Sequence, residues 1–477
     1  MSEMPPRASL KTFLSTARAA LTAPSSKRTT PLTFVVGNES ADLDSLCSAL
    51  LLAYFHTYSP PPTQRGSAGN SQSLCGINNS NNTLHIPICH LQRADLALRP
   101  EFAAVLRDAD VKGEDVFTLE DVLPPPPPPP HHHHHHHEGN NNNNNSKKEE
   151  KKSNGEEILL RPEDTRWLLV DHNAMTGALG RAFGTRVFGC VDHHADEDAV
   201  PRDAEVRVVE KSGSCMSLVV ERCADIWEAL GGSSRKIDAQ LARLALAPVL
   251  VDTTNLGDEN KTTAHDVRAV VRAEGKIAAH DAEEKGEVEV EKYDRDAFFK
   301  RIMDLKEDIA DMSFRDVFRK DYKEWTAAVE GGVRDLRLGT SSVPRGFGYL
   351  VDTKADGGGD PAAVFVDALE DWGREKDGSQ GKMDLVVVLT GFRDQHGTFR
   401  RELLVWARSE AGVRAAELFE KNWGDRLGLE TWGDGGLDLK RDDDDGWRRC
   451  WAQRAVEHSR KQIAPMLRDA LKEVAAG

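Results

Sequence analysis

Thr33–Leu51 reads TFVVGNESADLDSLCSALL, and the rest of the chain is organised around it. Phe34, Val35 and Val36 are β-formers that run into Gly37, and apolar residues then recur at Leu46, Ala49, Leu50 and Ala53 with helical spacing. The pattern is a buried strand, a tight turn and a helix starting near Asp44. Asp42 and Asp44 both stand in that turn, so both carboxylates can reach one crevice at the carboxyl end of the strand, where open α/β sheets place their ligands. Carboxylates that close repel each other unless cations sit between them. A D-x-D at a helix start also serves as a cap and a dipole partner, so the pair needs support from elsewhere in the chain.

The chain has 477 residues, enough for two or three domains and a large core. Its 39% hydrophobic and 29% charged content suits a soluble globular protein. A formal charge of −16 argues against broad affinity for nucleic acid or anionic membranes, so an anionic substrate would need basic groups and metals gathered locally. The cysteines (Cys47, Cys75, Cys89, Cys190, Cys215, Cys223 and Cys450) show neither C-x-x-C pairs nor a dense framework, which favours reduced thiols in the cytoplasm. No apolar run reaches membrane-spanning length. The N-terminal stretch mixes Arg7, Lys11, Arg18, Lys27 and Arg28 with Leu10, Phe13, Leu14 and Leu21. Glu3 and the shortness of the pattern favour an ordinary amphipathic helix over a mitochondrial presequence, which leaves the mitochondrial matrix as the alternative compartment.

Residues 59–82 read as a loose loop, Leu84–Cys89 as a strand and Leu98–Leu106 as a helix. Residues 124–155 hold proline, histidine and asparagine runs and a Lys/Glu cluster, the composition of a disordered insert, and the tract His131–His137 goes with it. Order then returns. Arg166–Val170 is an apolar run ending in Asp171-His172-Asn173, and Val187–Val191 is another ending in Asp192-His193-His194. Val206–Val209 is a further strand, Ser212-Gly213-Ser214-Cys215 opens a helix, and a helix from about Ile237 leads into a strand, Pro248–Val251, tipped by Asp252.

Apolar runs thus end repeatedly in a carboxylate or an imidazole: Asp42/Asp44, Asp171, His193/His194 and Asp252. Parallel strands separated by helices would gather these tips along one edge of a sheet. Unpaired carboxylates clustered at strand ends are costly. Two divalent cations bridged by one carboxylate resolve that cost and suit attack of an activated water on phosphorus. Mixed oxygen and imidazole ligands favour Mg²⁺ or Mn²⁺, or Co²⁺, over a thiolate zinc site.

With N-E-S-A-D-L-D-S, D-H-N, D-H-H and the Asp of V-D-T-T-N in place, the chain resembles the DHH phosphoesterase superfamily, and the first motif resembles eukaryotic exopolyphosphatases in particular. The resemblance implies that Asp42 binds one metal, Asp44 the other, that Asp171 bridges both, and that His193 and Asp252 complete the set. It implies that His194 faces the phosphate while Asp192 orients the neighbouring imidazole. Related family II inorganic pyrophosphatases place a histidine four residues before the first Asp of that motif, where this chain has Asn38. An amide oxygen is a harder, weaker ligand than imidazole, which points to the polyphosphatase branch and to tolerance of Mg²⁺. Asn38 can also simply cap the turn.

The second half is expected to be a smaller α/β domain. Residues 258–292 are charged and glycine-punctuated and are read as a linker, between a catalytic domain at 33–257 and a second domain at 293–477; residues 1–32 are an N-terminal helical extension. Ser313 should cap a helix over Phe314–Phe318, Gly339 should lead a turn into a strand, Met383–Thr390 and Glu402–Ala407 should pair, and His458–Pro465 should precede a final helix. This resembles the domain called DHHA2, which implies that Lys323 of R-K-D-Y-K and Arg460 and Lys461 of S-R-K-Q contact substrate phosphates. Lys261 either reaches a phosphate or is merely exposed; Ser214 either cradles an anion or caps; Arg93 is a weaker substrate candidate. His265, Trp325 and Trp406 are left as packing or surface residues, and Asp442–Asp445 as a solvated loop.

The resulting expectation is a two-domain α/β hydrolase: a mostly parallel sheet flanked by helices, a smaller cap, and an active site in the cleft between them. The resemblance implies an exopolyphosphatase that releases orthophosphate from the end of linear inorganic polyphosphate with two divalent cations. The alternatives are a pyrophosphatase, a short-chain polyphosphate or nucleotide phosphohydrolase, and a non-enzymatic scaffold. Neither nucleic acid nor membrane is an expected partner, and a monomer is compatible with the site.

Overall fold

The computed structural model describes residues 7–28, 30–59, 83–124, 160–231, 234–283, 292–329, 334–355, 360–378, 381–439 and 446–476. The histidine tract, most of the low-complexity insert, Cys75 and the Asp442–Asp445 run lie outside them.

The expected N-terminal helix is α1 (Leu10–Thr22), capped by Ser9, with Leu10, Phe13, Leu14, Ala17 and Leu21 buried at helical spacing. Strand β1 (Leu32–Val36) is buried throughout and turns into α2 (Leu43–Thr57), whose N-cap is Asp42. Then follow β2 (His85–Ile88), α3 (Pro100–Asp108), β3 (Thr165–Val170), α4 (Gly177–Phe183), β4 (Val187–Asp192) and β5 (Val206–Val209). These strands form one sheet in the order β2-β1-β3-β4-β5, with every neighbour parallel. The order reverses between β1 and β3, so the crevice for a ligand opens at their carboxyl ends.

Helices α5 (Cys215–Arg222), α6 (Ala224–Leu230), α7 (Arg235–Asp252), α8 (Ala264–Asp281) and α9 (Arg295–Glu307) complete this half. Pro248–Asp252 was expected to be a strand and is instead the last turn of α7. Helix α7 is buried on nearly every side, so its apolar run has no alternation, and a short run of that kind cannot be told from a buried strand by period. The segment expected to be a linker is mostly α8, whose Ala269, Val270, Ala273 and Ile277 join the first core, as do Phe298 and Ile302 of α9. Its exposed face carries the charge; its buried stripe, spaced at helical period, was masked by that composition.

The second half begins with α10 (Phe314–Lys320), capped by Ser313 and closed by an Asp316 capping box. It continues with β6 (Tyr322–Ala327), β7 (Leu336–Val343), α11 (Pro361–Asp377), β8 (Leu385–Thr390), β9 (Phe392–Arg393), β10 (Phe399–Ala407), α12 (Glu410–Leu427), β11 (Leu429–Thr431), β12 (Trp447–Gln453) and α13 (Arg460–Ala476). Its sheet runs β11-β12-β10-β8-β7-β6, with β9 on β10; β7 and β8 are parallel and the other pairs antiparallel. Leu385, Val387 and Leu389 of β8 enter one core and Val386 and Val388 the other, so period-two alternation builds a layer on each face. Gly339 sits inside β7 rather than before it, and the S-R-K-Q stretch enters the first turn of α13 rather than preceding the helix.

Candidate metal centre

The turn after β1 places Asn38, Asp42 and Asp44 at the mouth of the sheet. Asp42 Oδ1 accepts from Ser45 N at 3.0 Å, the capping bond of α2. Asp44 points inward. Its Oδ1 accepts from Ser214 Oγ at 2.8 Å and Met216 N at 2.9 Å, and its Oδ2 from Cys215 N at 2.7 Å, so the start of α5 fixes the orientation of this carboxyl group. Burial, followed by the charges of Asp171 and Asp252, nevertheless raises Asp44 well above the ordinary carboxylate range. Asp252, at the C-terminal end of α7, is raised in the same way by burial and by Asp42, while Lys306 and Lys461 oppose the shift.

Asp171 follows β3 with a left-handed backbone, φ +61°. Its Oδ2 accepts from Ser45 Oγ at 2.6 Å and from Asn38 Nδ2 at 2.8 Å, while Oδ1 lies 3.2 Å from His193 Nε2 and 3.6 Å from His194 Nδ1. Burial would raise this carboxyl; the hydrogen bond from His193 and the charges of His194, His193 and Lys461 outweigh it, and Asp171 is held far below its usual range. Asp192, ending β4, accepts from His194 Nδ1 at 2.8 Å and from Asn173 Nδ2 at 2.6 Å. The Nδ1 proton of His194 is thereby committed to Asp192, leaving Nε2 for an incoming group.

His193 supplies the test of metal fit. Its Nδ1 lies 3.0 Å from Ser212 O, an acceptor only, so that nitrogen carries the proton. On the other side, Nε2 lies 3.2 Å from Asp171 Oδ1, 3.9 Å from Asp44 Oδ2 and 3.3 Å from Lys461 Nζ. A proton on Nε2 suits the carboxylates but faces the ammonium; a lone pair suits the ammonium but faces the carboxylates. A divalent cation between Nε2 and the carboxylates removes the conflict. Donor atoms of Asp171, His193 and His194 all lie within 4.8 Å of one another, a spacing that one ion can span. The donor set fits a hard or borderline divalent cation.

The candidate substrate residues divide. Lys461 reaches the cluster from α13, and Arg460 beside it is fixed by Asp321, donating from Nη1 to its carbonyl at 2.8 Å and from Nη2 to Oδ1 at 2.7 Å. Lys323 of β6 is half-buried; desolvation and the charge of Arg460 lower its pKa against the pull of Asp321, Asp42 and Asp171. Lys261 is half exposed and lies 3.4 Å from Asp258 Oδ2 in its own turn. Arg93 is tied to Asp121 at 2.7 Å, so its charge is spent within the fold. Asn38 takes a different place from the ligand role weighed for it. Ser40 N, which can only donate, lies 3.0 Å from Oδ1, so the oxygen is occupied and the amide nitrogen faces Asp171.

Sequence reasoning missed three supports. Asn173 bridges Asp192 and the loop beyond it, accepting from Glu197 N at 2.7 Å. The Ser212–Cys215 loop positions both His193 and Asp44. Asp266 of α8, fully buried, holds that loop through Gly213 N at 2.9 Å, Ser214 N at 3.2 Å and Ser217 Oγ at 2.6 Å. The T-x-x-D capping box at Thr263–Asp266 was the available sign, but a box alone does not say that the carboxylate also reaches another loop.

A model of the DHH family, N-terminal domain, matches residues 33–249, and a DHHA2 domain model matches residues 300–470. A Schizosaccharomyces pombe protein named "Putative exopolyphosphatase" is 27% identical over 474 residues, covering 98% of this chain and 97% of that one. The Rattus norvegicus protein named "Exopolyphosphatase PRUNE1" is 24% identical over 315 residues, 66% of this chain, and the match spans about half (53%) of that relative. A solved structure titled "Crystal structure of Methanococcus jannaschii putative family II inorganic pyrophosphatase" is 16% identical with a TM-score of 0.49, covering 92% of this chain and 99% of that one. Among the described residues no helix is long and apolar enough to cross a membrane. The chain belongs to the DHH family and carries a DHHA2 domain behind its N-terminal DHH domain.

Proposed function

We propose that this chain is an exopolyphosphatase, hydrolysing the terminal phosphoanhydride bond of linear inorganic polyphosphate to release orthophosphate. The observation that carries the reading is the meeting of His193 with Asp171, Asp44 and Lys461: a cluster suited to a cation and an ammonium suited to a phosphate face each other across the two halves. The names of the S. pombe and rat relatives agree with that substrate.

Asp42, Asp44, Asp171, His193 and Asp252 would hold two divalent cations, Mg²⁺ or Mn²⁺ or else Co²⁺, with Asp171 shared between them. When bound, such ions supply Lewis acidity at phosphoryl oxygen and lower the pKa of water. The protein's own groups do the rest. Asp171 is fixed by Asn38 and Ser45, so the shared carboxylate needs no reorganisation. Asp192 keeps the proton of His194 on Nδ1 and so turns Nε2 toward phosphate. Lys461, Lys323 and Arg460 offset the charge that develops as the terminal phosphoryl group transfers, and Arg460 arrives pre-oriented by Asp321. We read the compartment as cytoplasmic, a reading supported by Cys47, Cys89, Cys190, Cys215 and Cys450, which form no disulfide among the described residues.

The test is orthophosphate release from long-chain polyphosphate with each divalent ion, run beside pyrophosphate and tripolyphosphate. Steady release from the long chains is the expected result; release from pyrophosphate alone would transfer the assignment to the pyrophosphatase reading, and none from any of them, in folded protein, would overturn both.

A further inference from the structure

Arg99 lies outside the ligand cluster yet is 95% buried, at 5% exposure. It precedes Pro100 at the head of α3 and grips the turn after β1: Nε donates to Ala41 O at 2.9 Å and Nη2 to Ser40 O at 2.8 Å. The next residue is Asp42. Ala41 has φ +44°, a conformation that is strained for a residue with a Cβ and persists only under outside support. A planar guanidinium spans two carbonyls at fixed geometry, whereas an ammonium can hold one at a time.

The same short segment receives the second half of the molecule. Lys320, at the end of α10 and 6% exposed, donates to Leu98 O and lies 3.5 Å from Oε2 of Glu101, itself 2% exposed. Leu98 and Glu101 bracket Arg99. Arg319 pairs with Asp95 at 2.5 Å, and Asp321 holds Arg460. Three consecutive residues of the second domain therefore join the segment that supports the turn to Arg460, the arginine assigned above to substrate. A buried lysine–glutamate pair adds little net stability, because desolvation offsets its attraction; what it does fix is the seating of one half on the other.

We propose that Arg99 and Lys320 are positioning residues that couple seating of the DHHA2 domain to the geometry of the metal-binding turn. The inference rests on the reading of that turn as a metal site. Lys320 seats the second half on segment 98–101, Asp321 ties that seat to Arg460, and Arg99 passes the constraint to Ser40, Ala41 and Asp42. Coupling of this kind is reciprocal, so an anion at the second domain tightens metal binding at the first.

The experiment titrates Mn²⁺ into the full chain by calorimetry, alone and with imidodiphosphate, a non-hydrolysable P–N–P anion. Wild type should bind Mn²⁺ more tightly with the anion present, within the roughly 5–150-fold range of coupled sites. Arg99→Lys, still melting cooperatively, should bind Mn²⁺ alone about 10-fold more weakly. Lys320→Met/Glu101→Gln, which removes both charges of the pair together, should bind Mn²⁺ alone within about twofold of wild type but lose most of the gain from imidodiphosphate, and its KM should rise more than its kcat falls. Wild-type affinity in Arg99→Lys, full gain in the double variant, or no gain in wild type would each overturn the coupling. Because the Mn²⁺ titrations read binding constants, a wild type inactive on polyphosphate would remove the proposed function without touching their result.

Discussion

Asn38 and Asp171 stand 133 residues apart in sequence, and the Asn38 amide nitrogen donates both to the Asp171 carboxylate at 2.8 Å and to its backbone carbonyl at 3.0 Å. One side chain thereby fixes both the orientation of the Asp171 carboxylate and its left-handed backbone. Asn38→Ala leaves Oδ2 of Asp171 with Ser45 as its remaining partner, and Mn²⁺ affinity should fall about 10-fold with the fold intact. Calorimetric titration checks this; unchanged affinity would mean that Asn38 serves the turn alone.

Asp266→Asn should be costly although Asp266 touches the site only through the Ser212–Cys215 loop. An amide nitrogen in place of one carboxylate oxygen would face N–H or O–H donors now satisfied by Asp266: Gly213, Ser214, Ser217 and Thr263. Stability in urea should drop by about 1–3 kcal/mol, and kcat should drop with it, since the loop it holds carries the contacts to Asp44 and His193. A loss under about 0.5 kcal/mol, typical of uninvolved surface positions, would contradict the assignment.

Gly213→Ala tests the same loop sterically. An added Cβ would meet Thr253 Cγ2 at 2.6 Å and Asp266 Oδ2 at 2.9 Å, with Asp252 one residue from the first contact. Overpacking of that kind costs about 1–3 kcal/mol, and part of it should be read as weaker Mn²⁺ binding. Thermal unfolding and titration, run side by side, separate the two effects.

Metal binding should depend steeply on pH. Burial pushes His193 down, but its hydrogen bond to Asp171 and the charges of Asp171 and Asp44 prevail and hold its pKa at about 9 in the metal-free chain, against an ordinary 6.5. The folded value lies above the unfolded one, so this group stabilises metal-free protein below pH 6.5 and the contribution is lost as pH rises through 9. A ligand must shed its proton to bind, so each pH unit below 9 should weaken Mn²⁺ about tenfold, with proton release measurable in buffers of differing ionisation heat. His193→Gln should flatten the profile.

The parts of this molecule that were legible in its sequence are those in which one short stretch carries both the element and the chemistry. The strand before Asp42, the strand before Asp171 and the strand before His193 each announce themselves by an apolar run ending in a polar tip. Asp252 has the same text but sits on a helix, because Val249–Val251 is buried on all sides and periodicity needs an exposed face to register. Asn38 was noticed as a position and misjudged in direction: which end of an amide faces a carboxylate is decided by Ser40 and Asp171, one nearby and one remote. Arg99, Lys320 and Asp266 went unread because each acts on backbone or charge far off in the chain, and nothing in their local sequence records the partner.

The central claim is that Asp42, Asp44, Asp171, His193 and Asp252 share a coordination sphere. Crystals grown with Mn²⁺ and imidodiphosphate, measured at the manganese absorption edge, test it most directly. Two anomalous peaks, each within about 2.0–2.4 Å of donor atoms from this set and with Asp171 touching both, are the expected result. Absence of peaks there in a crystal that binds Mn²⁺ elsewhere, or peaks that leave Asp171 and His193 without contact, would contradict the account.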